Sequence, residues 1–431
     1  MISVLKKIFH FSRRLLAKLW LAHIPAKHIA IGGSQGKTNT TTIIYQVLKD
    51  LYPEKDAVIK TDTNLDTVYN IPITALKAKK NTKYLVFEVG IDKPNEMDFH
   101  LQLVKPTVAV FTGLSAVHSD AEHLGSYENL VNEERKLSLA VDRSGYAVLN
   151  YDDLDVRKTA KLLKTKKVLF FGSNPRSCRV YFLKKPKVSV NGTEGSFYFK
   201  YTKKSKQELK FKTPLIGTHH IYNIMSAFAV LMALAKLDKK VRLPKFYLES
   251  FIKTIGSIKP LPGRMSLETG PHNTLVLNDS LRANPKSAET GLETFDSISY
   301  NKGRKIVLMG EMGELEKPEL EHKKVGRFAA KLKTVDFFIG VGQLQKFVLK
   351  ELEKNNPKIA TFYAEDPVAA GELLKKIIRP NDFIYIKASL LRHIQRALLV
   401  LEGVKVGCRV VSCPFYHSCS ECRYLVKGYK H

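Results

Sequence analysis

Apolar and polar positions follow two periods along this chain, and the switches between them mark its elements. Residues 1–24 carry Leu5, Ile8, Phe9, Leu15, Leu16 and Leu19 at helical spacing, interrupted by Lys6, Lys7, Arg13, Arg14 and Lys18. The pattern predicts a basic amphipathic helix, with two readings open. The helix rests on an anionic membrane surface, or it docks on the following domain by its apolar face. The segment lacks the continuous apolar stretch and small-residue cleavage site of a secretory signal. His28–Ile31 reads as a short apolar strand and Asn39–Leu48 as a helix. Tyr84–Val89 and Pro106–Phe111 read as further strands, Gly125–Lys136 as a helix, and Ala147–Asn150 as another strand. Lys259-Pro-Leu-Pro-Gly263 breaks the pattern and marks a domain boundary. Beyond it strands and helices alternate again, as in a small doubly wound α/β domain.

Composition narrows the class. The chain has 431 residues, 44% hydrophobic and 26% charged, which is globular rather than disordered. No apolar run reaches the roughly 18 residues of a membrane span, which excludes a polytopic membrane protein. Five cysteines argue against a disulfide scaffold and fit a reducing compartment. Lys plus Arg outnumber Asp plus Glu by 70 to 41, a net charge of +29. Such an excess points to anionic partners: nucleotides, nucleic acid or an acidic membrane face.

The chemistry begins at Gly32-Gly-Ser-Gln-Gly-Lys-Thr38, set between the strand and the helix. Strand, glycine loop and helix form the setting in which backbone N–H groups and a helix N-terminus cradle phosphate. Gly33 and Gly36 permit close backbone approach; Ser34 and Gln35 lie between them, and Asn39 at the helix start is also expected to contact the nucleotide. Lys37 is expected to reach the β- and γ-phosphates, and the Thr38 hydroxyl to bind Mg²⁺. The loop is shortened, because Ile31 stands where the common pattern has a glycine. Glu88 is a lone carboxylate near the end of a buried strand, costly unless paired or bound to a cation. Beside a phosphate loop the natural cation is the nucleotide's Mg²⁺.

The shortened loop resembles that of the Mur ligase family, the ATP-dependent amide ligases of cell-wall peptide synthesis. Other segments carry the likeness in order. They are Thr61–Pro72, with Asn64; Glu88-Val-Gly-Ile-Asp-Lys-Pro-Asn-Glu-Met; Asn150-Tyr-Asp152-Asp153; and Gly217-Thr-His219-His220-Ile-Tyr-Asn223. Pro262-Gly-Arg264-Met, Asp279-Ser-Leu-Arg282-Ala-Asn284-Pro and Asp382-Phe-Ile-Tyr-Ile-Lys387-Ala-Ser389 follow. The likeness spans roughly residues 25–400 and is most like the MurF type, the branch that adds a dipeptide. It departs from that type in having only about 25 residues where the UDP-binding domain usually stands.

The resemblance implies a fold and a chemistry. The fold is α/β: residues 25–258 form a P-loop-type central domain with a mostly parallel sheet, and 259–405 a smaller Rossmann-like α/β domain. Residues 1–24 and a cysteine-rich tail over 406–431 flank them. The chemistry is amide bond formation through an acyl phosphate, with ATP and Mg²⁺, on a peptidoglycan precursor receiving D-Ala-D-Ala or a similar amine. Thr38 and Glu88 would hold one ion; His118, or else His123, and Glu134 the second. Many relatives carry a carbamylated lysine eight residues after the serine of the Gly-Ser pair. Here that position is Glu134, which supplies a carboxylate directly, with Lys136 as the alternative. His219, Asn223, Arg264 and Asp279 would contact the nucleotide. Asn64, Arg282, Asn284 and Lys387 would face the substrate. The expected setting is the cytoplasm or the inner face of its membrane, with room for a partner subunit and no specific nucleic acid. Pseudomurein-type and polyglutamate-type ligases share every catalytic expectation, and a nucleotide-binding scaffold is the non-enzyme alternative.

Four of the five cysteines fall in the tail: Cys408, Cys413, Cys419 and Cys422. Cys419-Ser-Glu-Cys422 has knuckle spacing, so a Cys₄ zinc site is expected there, with an iron–sulfur or redox role, or free thiols, as alternatives.

Overall fold

The computed structural model describes residues 2–63, 65–115, 123–202 and 204–429, with side chains from Phe9 onward. The chain folds as two units. One comprises Met1–Lys187, Glu194–Thr213 and His219–Ile258; the other comprises Val188–Thr193, Pro214–Thr218 and Lys259–His431.

The first unit starts with α1 (Ile2–Leu21), β1 (Lys27–Gly32), α2 (Lys37–Leu51), β2 (Val58–Lys60), α3 (Thr67–Lys77) and β3 (Tyr84–Glu88). It continues through α4 (Glu96–Leu101), β4 (Pro106–Phe111), α5 (Tyr127–Leu139), β5 (Tyr146–Asn150), α6 (Leu154–Thr159) and β6 (Val168–Gly172). Then come β7 (Val180–Tyr181), β8 (Lys187–Ser189), β9 (Gly192–Phe199), β10 (Gln207–Thr213), α7 (His220–Leu237) and α8 (Lys245–Ser257), of which Val188–Thr193 count with the second unit. The strands order as β10-β9-β7-β6-β5-β4-β1-β3-β2, parallel from β2 to β7 and antiparallel where β7 meets β9. The parallel strands read as nearly continuous apolar runs because helices cover both faces. Ala30, Phe87, Phe111 and Leu149 pack on one face with Ile71, Met97, Leu130 and Leu137 of the helices; α2 and α7 cover the other. Among the described residues α7 is the one helix long and apolar enough to cross a membrane, and it is buried inside this unit.

β1 leads to β2 on one side and, after β3 has filled the space between them, the chain crosses to β4 on the other side. The carboxyl end of β1 therefore faces a topological switch point, where open α/β sheets bind ligands.

The second unit holds β11 (Ser266–Gly270), β12 (Thr274–Asp279), α9 (Pro285–Ser297), β13 (Lys305–Gly310), α10 (Pro318–Ala329) and β14 (Phe337–Val341). It ends with α11 (Gln345–Asn355), β15 (Ala360–Ala364), α12 (Pro367–Ile377), β16 (Phe383–Lys387) and α13 (Arg396–Leu401). The strand order is β11-β12-β16-β13-β14-β15, parallel except for β11 at the edge. Alternation along β16 shows the layering. Phe383 and Tyr385 pack with α9, α10 and α11, while Ile384 and Ile386 pack with α12 and α13.

The amphipathic segment is helical, and one face of it is docked. Ala17 is buried, the Trp20 indole N–H donates to the Ala78 carbonyl at 2.9 Å, and the Arg14 guanidinium lies 3.4 Å from the centre of the Phe99 ring.

Candidate active site

β1 ends at Gly32 between β3 and β4, and the loop that follows turns through two left-handed positions, Gly33 (φ 118°) and Gly36 (φ 80°). Only glycine takes these angles without strain. At Gly33 a Cβ would also stand 2.4 Å from Thr112 Oγ1 and 2.8 Å from the Gly113 carbonyl. Gly33→Ala is therefore expected to cost about 2–4 kcal/mol, from positive φ plus overpacking. The check is a lower urea midpoint together with loss of nucleotide binding. Gly36 precedes α2 with no side-chain cap, and the N-terminal end of a helix favours an anion.

The reactive side chains converge here. Register sets Glu88 opposite Ile31, one residue before the loop. Thr38, in the first turn of α2, donates its hydroxyl to Glu88 Oε1 at 2.8 Å. Lys37 turns back so that its ammonium donates to the Gly33 carbonyl, its stem passing over Gly90. Asn223, in the first turn of α7, places Oδ1 only 2.7 Å from where a Cβ at Gly36 would be, and accepts from Thr40 Oγ1 at 3.4 Å. The rings of His219 and His220 meet at the same helix start, 4.2 Å between centroids and tilted by 37°. Phosphate-facing glycine backbone, an ammonium and a hydroxyl–carboxylate pair are the donor set that a nucleotide with a divalent cation requires.

A second layer holds the loop: Asn150, Asp152 and Asp153 belong to a segment of the family likeness, while Thr112 is not among the expected site residues. The Thr112 hydroxyl reaches the carbonyls of Gly32 (2.9 Å) and Gln35 (2.6 Å), and Ser34 N–H donates to the Gly113 carbonyl at 2.8 Å. Asn150 donates to the Thr112 carbonyl at 2.8 Å. Asp153 accepts from Leu114 N–H at 2.7 Å while capping α6 through the N–H groups of Asp155 and Val156. Asp152 takes Ser173 N–H and the Tyr222 hydroxyl, and burial beside that carboxylate pushes the Tyr222 phenol up. The available signal for Thr112 was a hydroxyl and a glycine at a strand end, level with the phosphate loop.

Glu134 is buried on α5 and its Oε2 accepts Gly33 N–H at 2.8 Å, so the carboxylate grips the loop itself. Lys136, the alternative, instead pairs with Asp98 (2.6 Å) and Glu133 (2.7 Å). Asn64 and His118 lie outside the described residues. Buried Asn70 braces the segment before α3, exchanging hydrogen bonds with the Asp62 backbone at 3.0 and 2.7 Å.

The second unit gathers its own polar cluster at the end of β12. Lys387 is 2% exposed and donates to Asp279 Oδ2 at 2.6 Å and to the Arg282 carbonyl at 2.7 Å. Tyr385 also donates to Asp279, at 3.1 Å. Asn284 caps α9, its side chain on Ser287 N–H at 2.8 Å. Arg282 is exposed, and Arg264 is half-buried just after Gly263 (φ 69°). Lys387→Met leaves Asp279 without its cation and is expected to destabilise by about 2–4 kcal/mol. Denaturant unfolding checks this, and adding Asp279→Leu should restore part of the loss.

The zinc site expected in the tail is not formed. Cys408, Cys413 and Cys419 are buried, and burial pushes the Cys419 thiol up to about 11, with the other three thiols adding to it. Yet among the described residues no three His, Cys, Asp or Glu side chains are gathered to hold a metal ion. The tail is ordered by other means. Buried Arg396 donates to the Cys408 carbonyl (2.7 Å) and sulfur (3.3 Å), and Cys413 N–H donates to the Leu391 carbonyl at 2.8 Å.

Residues 31–231 match the Mur ligase middle domain, and residues 263–390 match the Mur ligase, glutamate ligase domain. The UDP-N-acetylmuramoyl-tripeptide–D-alanyl-D-alanine ligase of Buchnera aphidicola subsp. Baizongia pistaciae is 25% identical over 362 residues, covering 84% of this chain and 72% of its own length. Among solved structures, MurF from Acinetobacter baumannii superposes with a TM-score of 0.75 at 22% identity, covering 91% of this chain and 80% of its own. MurF ligase from Thermotoga maritima in complex with ADP gives 0.72 at 22% identity, covering 91% and 83%. At that identity the structural likeness carries the fold.

Proposed function

This chain belongs to the Mur ligase family, and on that premise we propose that it is an ATP-dependent, ADP-forming carboxylate–amine ligase. In this reading it joins D-alanyl-D-alanine, or a similar amine, to the peptide of a peptidoglycan precursor, and works in the cytoplasm, where ATP is supplied. The observation that carries the reading is the phosphate loop at the end of β1, with Lys37 folded onto it and the Thr38 hydroxyl on Glu88 at 2.8 Å. The relative whose printed name includes this reaction spans most of the chain.

The chain's own groups divide the work. Backbone N–H groups of the loop and of the α2 start bind the phosphates of ATP. Lys37 leaves the Gly33 carbonyl for the γ-phosphoryl group and offsets charge as the substrate carboxylate attacks it. The amine then displaces phosphate from the acyl phosphate. Thr38 and Glu88 would hold Mg²⁺, whose role when bound is to neutralise the phosphate oxygens. His118 is the proposed ligand for a second ion, and Arg264 the proposed hinge cation for the phosphates.

The test is phosphate release from ATP with Mg²⁺, UDP-N-acetylmuramoyl-tripeptide and D-alanyl-D-alanine, with mass spectrometry of the product. Release that needs both substrates and yields a product heavier by the dipeptide supports the proposal. ATP binding with no release on any wall precursor refutes the acceptor assignment and turns the search to other carboxylates.

A further inference from the structure

The docked helix α1 buries only one of its faces, and the opposite face is apolar. Phe9, Phe11, Leu15, Leu16 and Leu19 are 49–71% exposed, while Ala17 and Arg14 on the inner face are buried. Phe11, Leu15 and Leu19 follow one another at i, i+4 and i+8, so they form a continuous ridge. Two partly exposed rings of the unit's body lie beside the docked face of the helix. Tyr69, whose ring lies 4.5 Å from that of His10, and Phe99, beneath Arg14, are themselves more than a third exposed. Contiguous apolar surface of this kind is uncommon on a monomer and marks an interaction site.

Charge selects the occupant. The chain has no Asp or Glu before Asp50. Lys18 is exposed on α1 and Arg13 is half-exposed beside Phe9, its guanidinium 4.4 Å from that ring. Lys79 and Lys80 are exposed next to Ala78, whose carbonyl holds Trp20. An apolar ridge with cations beside it matches an anionic bilayer surface, with the ridge in the acyl boundary and the cations among headgroup phosphates. A second copy would bring the same cations against themselves, on a chain whose net charge is already +29. Charged residues along α1 keep it from spanning, so the contact is with the surface.

We propose that the outer face of α1 docks this protein on an anionic phospholipid surface. The proposal is independent of the ligase reading, and either can fail without the other.

Trp20 is the only tryptophan in the chain and stands at the border of the ridge, which makes it an intrinsic reporter. The experiment mixes the full-length protein with vesicles of phosphatidylcholine alone or with phosphatidylglycerol, and follows co-sedimentation and Trp20 emission. Binding is expected to the phosphatidylglycerol vesicles, with a blue shift of Trp20 emission, and to weaken by about tenfold or more on going from low to high salt. The variant Leu15→Gln/Leu16→Gln/Leu19→Gln, at exposed positions, is expected to lose about tenfold or more of the bound fraction with an unchanged melting temperature. No binding to anionic vesicles, or binding that ignores both lipid charge and the triple variant, overturns the proposal. So does a dimer that the triple variant dissociates while vesicles are ignored, which would make the face a self-association surface. Should the variant fold poorly, the salt dependence and the Trp20 shift of the unaltered protein still decide.

Discussion

Replacing Lys37 with alanine is expected to lower ATP-dependent phosphate release by about 10³-fold, roughly 4 kcal/mol of transition-state stabilisation, while the fold survives. The size follows from its place. Lys37 is the cation whose stem crosses Gly90 and whose ammonium already sits on the phosphate loop, at the Gly33 carbonyl. In a phosphoryl transfer the charge spreads over three oxygens, and a positioned ammonium is worth far more there than in water. Removing it leaves the backbone N–H cradle intact, so ATP should still bind, with the larger loss in kcat. The side chain is half-buried at the first turn of α2, so truncation opens no core cavity and the melting temperature should barely move. The measurement is kcat and KM for ATP beside a thermal melt. A raised KM with unchanged kcat would make Lys37 a ground-state anchor and remove it from the chemistry.

How legible the site was depended on how local its physics is. The loop Gly33–Thr38 was readable because glycine positions, strand and helix lie within one short stretch, and backbone geometry alone makes a phosphate cradle. The Thr38–Glu88 contact joins residues fifty apart. It was legible through the rarity of a lone buried carboxylate and through the family likeness. Thr112 and Asn70 were not legible as braces, because each acts on backbone groups that only the folded chain brings near. Lys387 and Asp279 were read as substrate and nucleotide contacts, yet 108 residues apart they pair with each other, a burial effect that spacing does not encode. For α1, the docking reading describes the face that packs, and the other face stays open. In the tail, cysteine spacing suggested zinc, whereas the ordering comes from Arg396, which sits within an otherwise apolar helix and gives no signal of that role.

Glu134 carries the second large effect, and its chemistry separates two roles. The family likeness implies a metal carboxylate here, in place of a carbamylated lysine. In the fold its Oε2 accepts Gly33 N–H at 2.8 Å, and a Cβ at Gly32 would stand 3.2 Å from the same oxygen. Glu134 is 2% exposed, so Glu134→Ala leaves a buried N–H unpaired at the first left-handed turn of the loop. A hydrogen bond to a buried charged acceptor is worth about 1.5–3 kcal/mol, so the alanine variant should raise KM for ATP by roughly 10- to 100-fold and lower the melting temperature. Glutamine keeps an acceptor oxygen in nearly the same place. If gripping the loop is the main role, Glu134→Gln should recover most of the ATP affinity and show the same Mg²⁺ requirement as the unaltered protein. If the carboxylate instead holds a metal ion, glutamine should be about as poor as alanine, and raising Mg²⁺ should rescue it. Titrating Mg²⁺ against phosphate release for both variants distinguishes the two, because an amide replaces a hydrogen-bond acceptor well and an anionic ligand badly.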